Sequence, residues 1–199
     1  MNSMKDYPFF ATVSRMKYIE RWALMRNSRP ENLSEHSLEV AQIAHALCII
    51  GNIRYGMNLN ADRAAVLAVY HDVSEIITGD LPTPVKYFND EIESAYRKVE
   101  SVAVNELLKQ LPEDLRDAYH DILHENDDEL KKIVKAADKL SALIKCIEEE
   151  TAGNSEFATA AVSTRKAIEE MIPDCPMVKD FLESFIPDYG RTLDELMGR

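Results

Sequence analysis

The sequence predicts an all-α protein, and three observations carry that prediction. Apolar residues recur three and four positions apart along most of the chain, the period of one helical face. No segment shows the strict alternation of a half-buried strand followed by a hairpin turn. Breakers are sparse, with 6 glycines and 8 prolines in 199 residues, so helices have room to run and no low-complexity linker separates them. At 46% hydrophobic and 29% charged, the composition suits one well-buried core. A single domain is therefore expected over 1–199, with its body at about 9–187 and a peripheral, acidic tail at 188–199. Unequal helix lengths argue against a simple up-and-down bundle.

Taken in order, Phe9 to Arg26 carries apolar residues at Phe9, Val13, Met16 and Ile19, which predicts a first helix reaching Arg21-Trp22. Asn27-Ser28-Arg29-Pro30-Glu31 reads as a loop. Asn32, with Glu35 three residues on, has the form of a capping box. It opens a helix to about Ile50 whose inward stripe is His36, Val40, Ile43, Ala44 and Leu47. Gly51 to Gly56 reads as a turn, and Asn60 caps a central helix. That helix passes through Ala64, Ala65 and Ala68 into Tyr70-His71-Asp72-Val73-Ser74-Glu75 and stops at Thr78-Gly79. Pro82 and Pro84 then predict a stiff, extended connection. Further helices are expected over about 90–110, 112–124, 128–150, 156–171 and 176–185.

Charge and cysteine content narrow the function classes. A net charge of −12 argues against a grip on nucleic-acid polymers, which rests on clustered Lys and Arg. It leaves open a small phosphorylated ligand held by a few local cations among Arg21, Arg26, Arg29, Lys86 and Lys135. No apolar run is long enough to span a membrane, and no secretory signal is recognised, so no membrane partner is expected. Cys48, Cys146 and Cys175 are odd in number and widely spaced, as reduced thiols of a cytoplasmic protein would be.

The chemistry concentrates at the end of the central helix. Its apolar face turns polar within one turn, at His71, Asp72 and Glu75, above small alanines that leave space. Burying such groups costs several kcal/mol each unless they are paired or bound to a cation. Imidazole beside carboxylate suits a divalent ion of the Zn, Mn, Fe or Co kind. His36 heads the inward stripe of the preceding helix, and Asp138 lies in line with Val134, Ala137 and Ser141 on a later one. Taken alone, His36 reads first as a satisfied core histidine and Asp138 as half of a buried salt bridge; the joint order His, His-Asp, Asp is harder to reach by accident. A second pair, His120-Asp121 with His124, sits in the charged stretch 117–129 and reads as a solvated helix face; His45 is not expected to be a ligand either.

The order His36, then His71-Asp72, then Asp138 resembles the metal-ligand set of the HD-domain metal-dependent phosphohydrolase superfamily. More narrowly, five segments are similar to the bacterial 5′-deoxynucleotidases of that superfamily. They are Arg21-Trp22, Glu35-His36-Ser37, Tyr70-His71-Asp72-Val73-Ser74-Glu75, Gly79-Asp80-Leu81-Pro82-Thr83-Pro84-Val85-Lys86-Tyr87-Phe88 and Lys135-Ala136-Ala137-Asp138. The similarity runs from about residue 9 to about residue 187.

The resemblance implies an HD-type helical fold and hydrolysis of deoxyribonucleoside 5′-monophosphates to deoxynucleoside and phosphate. It implies one divalent transition-metal ion on His36, His71, Asp72 and Asp138, with cobalt or manganese favoured over zinc or iron. Four such ligands leave room on a six-coordinate ion for a water and a phosphate oxygen, and the water would attack phosphorus in line. Glu75 would orient that water or hand a proton to the leaving 5′ oxygen; its plainer reading is a partner that aims a ligand histidine. Arg21 would clamp the phosphate with its planar fork, where without the resemblance it reads as a surface charge beside an acid. Trp22, otherwise a core residue, would stand where a 2′-hydroxyl protrudes, and Asp80 would take the 3′-hydroxyl. Leu81, Pro82 and Thr83 would complete the substrate wall, with His36, Asp72 and Asp138 touching substrate as well as metal. A homodimer is expected on the same ground. The main alternative is a phosphohydrolase for a triphosphate or signalling nucleotide, which calls for more Lys and Arg around the pocket; the other is a non-catalytic nucleotide-sensing domain.

Overall fold

Side-chain caps set many of the helix starts in the computed structural model, which describes residues 6–124 and 127–198. Asn32 Oδ1 accepts from the backbone N–H of Ser34 and Glu35 at 3.0 and 3.1 Å. Asn60 takes Arg63 N–H, Asn89 takes Ile92 N–H, and Asp127 takes both Glu129 and Leu130 N–H. Each satisfies a donor that the first helical turn leaves open.

The helices run in order as α1 (Phe9–Val13), α2 (Leu33–Tyr55), α3 (Ala61–Tyr70), α4 (Glu75–Thr78), α5 (Thr83–Lys86), α6 (Asp90–Leu108), α7 (Glu113–Leu123), α8 (Asp128–Thr151), α9 (Ala158–Glu169), α10 (Met177–Ser184) and α11 (Leu193–Leu196). Short 3₁₀ turns cover Ser14–Tyr18, Ser155–Phe157 and Ile186–Asp188. Among the described residues no strand forms, and β pairing is limited to one antiparallel bridge between Glu20 and Asn32. The predicted all-α class holds.

The chain divides into two compact units. The first gathers residues 1–24, 30–37 and 70–126. Its core is Phe9, Met16, Leu33, Val73, Val104, Leu107, Leu108 and Leu111, with Tyr119 edge-on to Phe9 at a ring separation of 5.0 Å. The second gathers residues 25–29, 38–69 and 127–199. Its core draws on the predicted stripe of α2, with Val40, Ile43, Ala44 and Leu47 all buried, and on Ala64, Leu67 and Ala68 of α3. Ile133, Ala137, Leu140 and Ile144 of α8 and Met177 and Val178 of α10 complete it.

Four expectations about local structure need correction. The first helix does not reach Arg26. It ends at Val13, continues as a 3₁₀ turn to Tyr18, and turns extended at Ile19 (φ −97°, ψ 109°). Beyond Ile19 the apolar spacing lapses, and the backbone is drawn across to the stretch before α2. Leu33 N–H donates to Ile19 C=O at 3.0 Å and Arg21 N–H to Glu31 C=O at 2.9 Å. The α2 helix does not stop at Ile50 but runs through Gly51 to Tyr55. Gly51 is there for space: a Cβ would meet Met177 Cε at 2.9 Å and Leu59 Cδ1 at 3.0 Å. The turn that follows is closed by Asn52, whose amide bonds both N–H and C=O of Leu59.

The central helix breaks where its chemistry begins. Residues 71–74 form tight turns between α3 and α4, with Val73 N–H on Tyr70 C=O and Glu75 N–H on Asp72 C=O. Lastly, Pro84 does not keep its segment extended, because it lies in the first turn of α5, where no N–H is needed. Of the charged stretch 117–129, residues 125 and 126 lie outside the described residues, as does Arg199 of the tail.

Candidate active site

The break between α3 and α4 carries His71 and Asp72. Asp72 Oδ2 lies 3.1 Å from His71 Nε2 and 3.6 Å from His36 Nε2, the latter reaching in from the capped first turn of α2. The two imidazole rings are 5.2 Å apart and tilted by 54°. His36 is fully buried and His71 and Asp72 are mostly so. Three lone-pair-bearing atoms thus converge on one small volume, two imidazole nitrogens and a carboxylate oxygen. That donor set fits a borderline divalent ion. Asp138, the fourth expected ligand, is carried by α8 of the second unit. It is half-buried between the buried Ala137 and Leu140, with Lys139 Nζ 3.6 Å from its Oδ2.

Glu75 opens α4 and is 6% exposed. Its Oε2 is buried with no hydrogen-bond partner among the described residues. Burial, with the carboxylates of Asp72 and Asp80 nearby, pushes its pKa up to about 9. A buried carboxyl with one oxygen unsatisfied is poised toward a ligand rather than toward the fold.

The α4 helix ends at Gly79, whose φ of 74° lies in the left-handed region. A Cβ there would meet nothing, so glycine is required by the backbone and not by space. The turn aims Asp80 back at the extended segment, where Asp80 Oδ2 accepts from Trp22 N–H at 3.3 Å. Burial pushes the Asp80 carboxyl up, against the opposing pull of Arg21. Leu81 and Pro82 are half-buried beside it, and Thr83, the first residue of α5, is exposed. Trp22 itself has φ 61°, the one non-glycine among the described residues in that region.

Arg21 and Trp22 meet on a residue that the spacing arguments passed over. Glu31 Oε2 accepts from Arg21 Nη1 at 2.8 Å and from Trp22 Nε1 at 2.9 Å. The Arg21 and Glu31 side chains are only 11% and 13% exposed, so Arg21 is not the surface charge its plainer reading allows. No periodicity links positions 21, 22 and 31, and only the local pairing of the two segments brings them together. Lys86 is tied as well, donating to Glu100 at 2.9 Å and lying over the Tyr96 ring. Burial alone would lower its pKa, but Glu100 outweighs that and pushes it up to about 12.

The expected decoys stay outside this group. His120 and Asp121 side chains are 52% and 75% exposed, and His120 stacks on His124. His45 is exposed. All three cysteines are free and buried. A second buried polar cluster lies on α8, outside the residues expected from the sequence. Lys145 and Glu149, one turn apart on α8, are 5% and 1% exposed and ion-paired. Glu149 also accepts from Ser28 N–H at 2.8 Å and Asn154 Nδ2 at 2.8 Å, and Lys145 donates to Arg29 C=O at 2.6 Å. The signal was available: residues 138, 141, 145 and 149 share one helical face.

A family model described as 5′-deoxynucleotidase YfbR-like matches residues 8–189. A 5′-deoxynucleotidase of Erwinia tasmaniensis is 49% identical over 190 residues, covering 94% of this chain and 95% of that protein. Among solved structures, an HD-domain phosphohydrolase from Listeria innocua superposes with a TM-score of 0.80 at 26% identity, over 91% of this chain and 87% of that one. The HD phosphohydrolase DatZ of cyanophage S-2L, solved with dA and one catalytic Zn2+, has a TM-score of 0.65 at 19% identity over 90% and 95% of the two chains, a likeness of fold. The helical fold is that of the HD-domain phosphohydrolases, and the chain belongs to the YfbR-like 5′-deoxynucleotidase family.

Proposed function

We propose that this chain hydrolyses deoxyribonucleoside 5′-monophosphates to deoxynucleoside and phosphate, using one divalent ion held by His36, His71, Asp72 and Asp138. The observation that carries the reading is the convergence of His36 Nε2 and His71 Nε2 on Asp72 Oδ2. An ion bound to such ligands makes a water more acidic and offsets charge on a phosphate.

Around that centre each residue has a separable task. Asp72 and Asp138 bring negative charge that offsets the charge of a divalent ion. Glu75 is the proton-handling and orienting group: its buried, unsatisfied oxygen can accept from the attacking water, and the protonated carboxyl can donate to the leaving 5′ oxygen. Arg21, its Nη1 held by Glu31, clamps the phosphate with its planar fork. Trp22 blocks a 2′-hydroxyl, which would be buried there without a partner. Asp80 takes the 3′-hydroxyl, and Leu81, Pro82 and Thr83 line the sugar's other side. In this reading His36, Asp72 and Asp138 would touch the substrate as well as the ion.

Cobalt or manganese as the occupant and a homodimer rest on the resemblance, and a cytoplasmic location on the odd number and wide spacing of the cysteines. Among the described residues no helix is long and apolar enough to cross a membrane. The family match is unbroken over residues 8–189, which supports treating both units as one functional domain.

The test is phosphate release from dAMP against AMP, and from dTMP against dTTP, by metal-stripped protein with Co2+, Mn2+, Zn2+ or Mg2+ restored. Release from the deoxy-monophosphates alone, dependent on a transition metal and abolished in His71→Ala, is the expected result. Turnover of dTTP in preference to dTMP would replace the monophosphate reading with a triphosphate one.

A further inference from the structure

We infer that Glu31 is the positioning residue that sets sugar selectivity, by fixing Trp22 and Arg21 through one carboxylate; this rests on the deoxynucleotidase reading. Three bonds converge on this residue. Its Oε2 receives Arg21 Nη1 and Trp22 Nε1, and its backbone C=O receives Arg21 N–H. An indole has a single polar atom, so a bond to Nε1 at 2.9 Å, together with the Trp22 N–H bond to Asp80 at 3.3 Å, defines where the ring stands. The ring leaves a backbone with φ 61°, a strained conformation that persists only when its surroundings over-determine it. Glu31 and Asp80 both contribute to that over-determination.

The same oxygen holds one arm of the Arg21 fork, with the guanidinium carbon 5.9 Å from the Trp22 ring. Phosphate clamp and sugar wall are therefore set by one group. A wall that discriminates a single hydroxyl works only if held to a fraction of an ångström, and misplacement by about 1 Å is enough to cost about a hundredfold in rate. Glu31 touches neither the phosphate nor the sugar in this role and acts only through its two partners. Removing it takes away a negative charge near Arg21, so ground-state attraction for a phosphate does not fall. The loss is expected in kcat and in the deoxy-to-ribo ratio, not in KM for the deoxy substrate.

Trp22 is the only tryptophan in the chain, so intrinsic fluorescence reports on it alone. In Glu31→Ala, the ratio of kcat/KM for dAMP over AMP is expected to fall about tenfold, the order of one hydrogen bond to a charged group. Trp22 emission should move to the red with lower anisotropy. Glu31→Gln keeps an acceptor oxygen without the charge and should fall between wild type and Ala in both readouts. It also serves if Glu31→Ala fails to fold. A wild-type ratio and wild-type emission in whichever variant folds overturns the inference, even if its melting temperature drops. Should wild-type protein hydrolyse neither nucleotide, the functional reading fails instead, and the emission of Glu31→Ala and Glu31→Gln alone decides whether Glu31 fixes the ring.

Discussion

Glu75 shows most directly how single residues divide the work. It is buried, and one of its oxygens has no hydrogen-bond partner among the described residues. Replacing a carboxyl oxygen that the fold does not use by an amide of the same shape should cost the fold nothing. Glu75→Gln is therefore expected to melt at or slightly above the wild-type temperature and to bind metal as wild type does. Its kcat for dAMP should fall by about 10²–10⁴, the range for loss of a general acid or base. Calorimetric metal titration alongside steady-state kinetics separates the two effects. A fall in metal affinity matching the fall in kcat would return Glu75 to a supporting role beside the ligand histidines. His36, His71, Asp72 and Glu75 were legible in the sequence because each breaks an apolar face. Glu31 was not, because nothing in a one-dimensional pattern distinguishes a loop carboxylate that meets Arg21 from one that meets water.

At the scale of elements, the face logic survived even where the helix it assumed did not. Ala64 and Ala68 are buried on α3 as expected, yet α3 stops at Tyr70, and tight turns, not a continued helix, present His71 and Asp72. Long periodic stretches such as α6 and α8 were legible to within two residues. Boundaries set by packing, such as Gly51 inside α2, were not. The turn after α4 depends on Gly79 at φ 74°, and Gly79→Ala should destabilise by about 1 kcal/mol from backbone strain alone. Thermal unfolding measures that directly, and kcat should fall with it because the turn carries Asp80.

The α8 helix offers a second element-scale test. Lys145→Met leaves Glu149 buried without its cation and should cost about 3–5 kcal/mol. Burial alone would raise the Glu149 carboxyl, but Lys145, Ser28 and Asn154 outweigh it and hold it well below the usual carboxylate range. A carboxyl lowered by folding stabilises the native state above its unfolded pKa of about 4.3, and that contribution drains away as pH falls further. Chemical denaturation at pH 7 and pH 3 should therefore show a smaller acid loss in Lys145→Met/Glu149→Leu than in wild type. Equal losses would mean that other carboxylates carry the acid sensitivity.

At the scale of the whole molecule, charge works against the chemistry it surrounds. The chain carries a net −12 and is read here as binding a phosphate monoester of about −1.5 to −2 at neutral pH. Three of the cations that could offset this are paired with acids: Arg21 with Glu31, Lys86 with Glu100 and Arg26 with Glu156. Long-range repulsion is then expected to dominate the approach, while short-range contacts decide binding once the substrate arrives. Raising ionic strength from about 10 to about 150 mM shortens the screening length from about 30 to about 8 Å. That removes repulsion from the distant surface and leaves contacts at a few ångströms largely intact. We expect kcat/KM for dAMP to rise roughly two- to threefold over this range with kcat unchanged. The inhibition constant of the uncharged product deoxyadenosine should not move, which controls for salt acting on the pocket itself. A decrease in kcat/KM with salt would mean that the field at the site is positive despite the pairing of Arg21 and Lys86. The bound ion would then set the potential the substrate meets, ahead of the acidic surface.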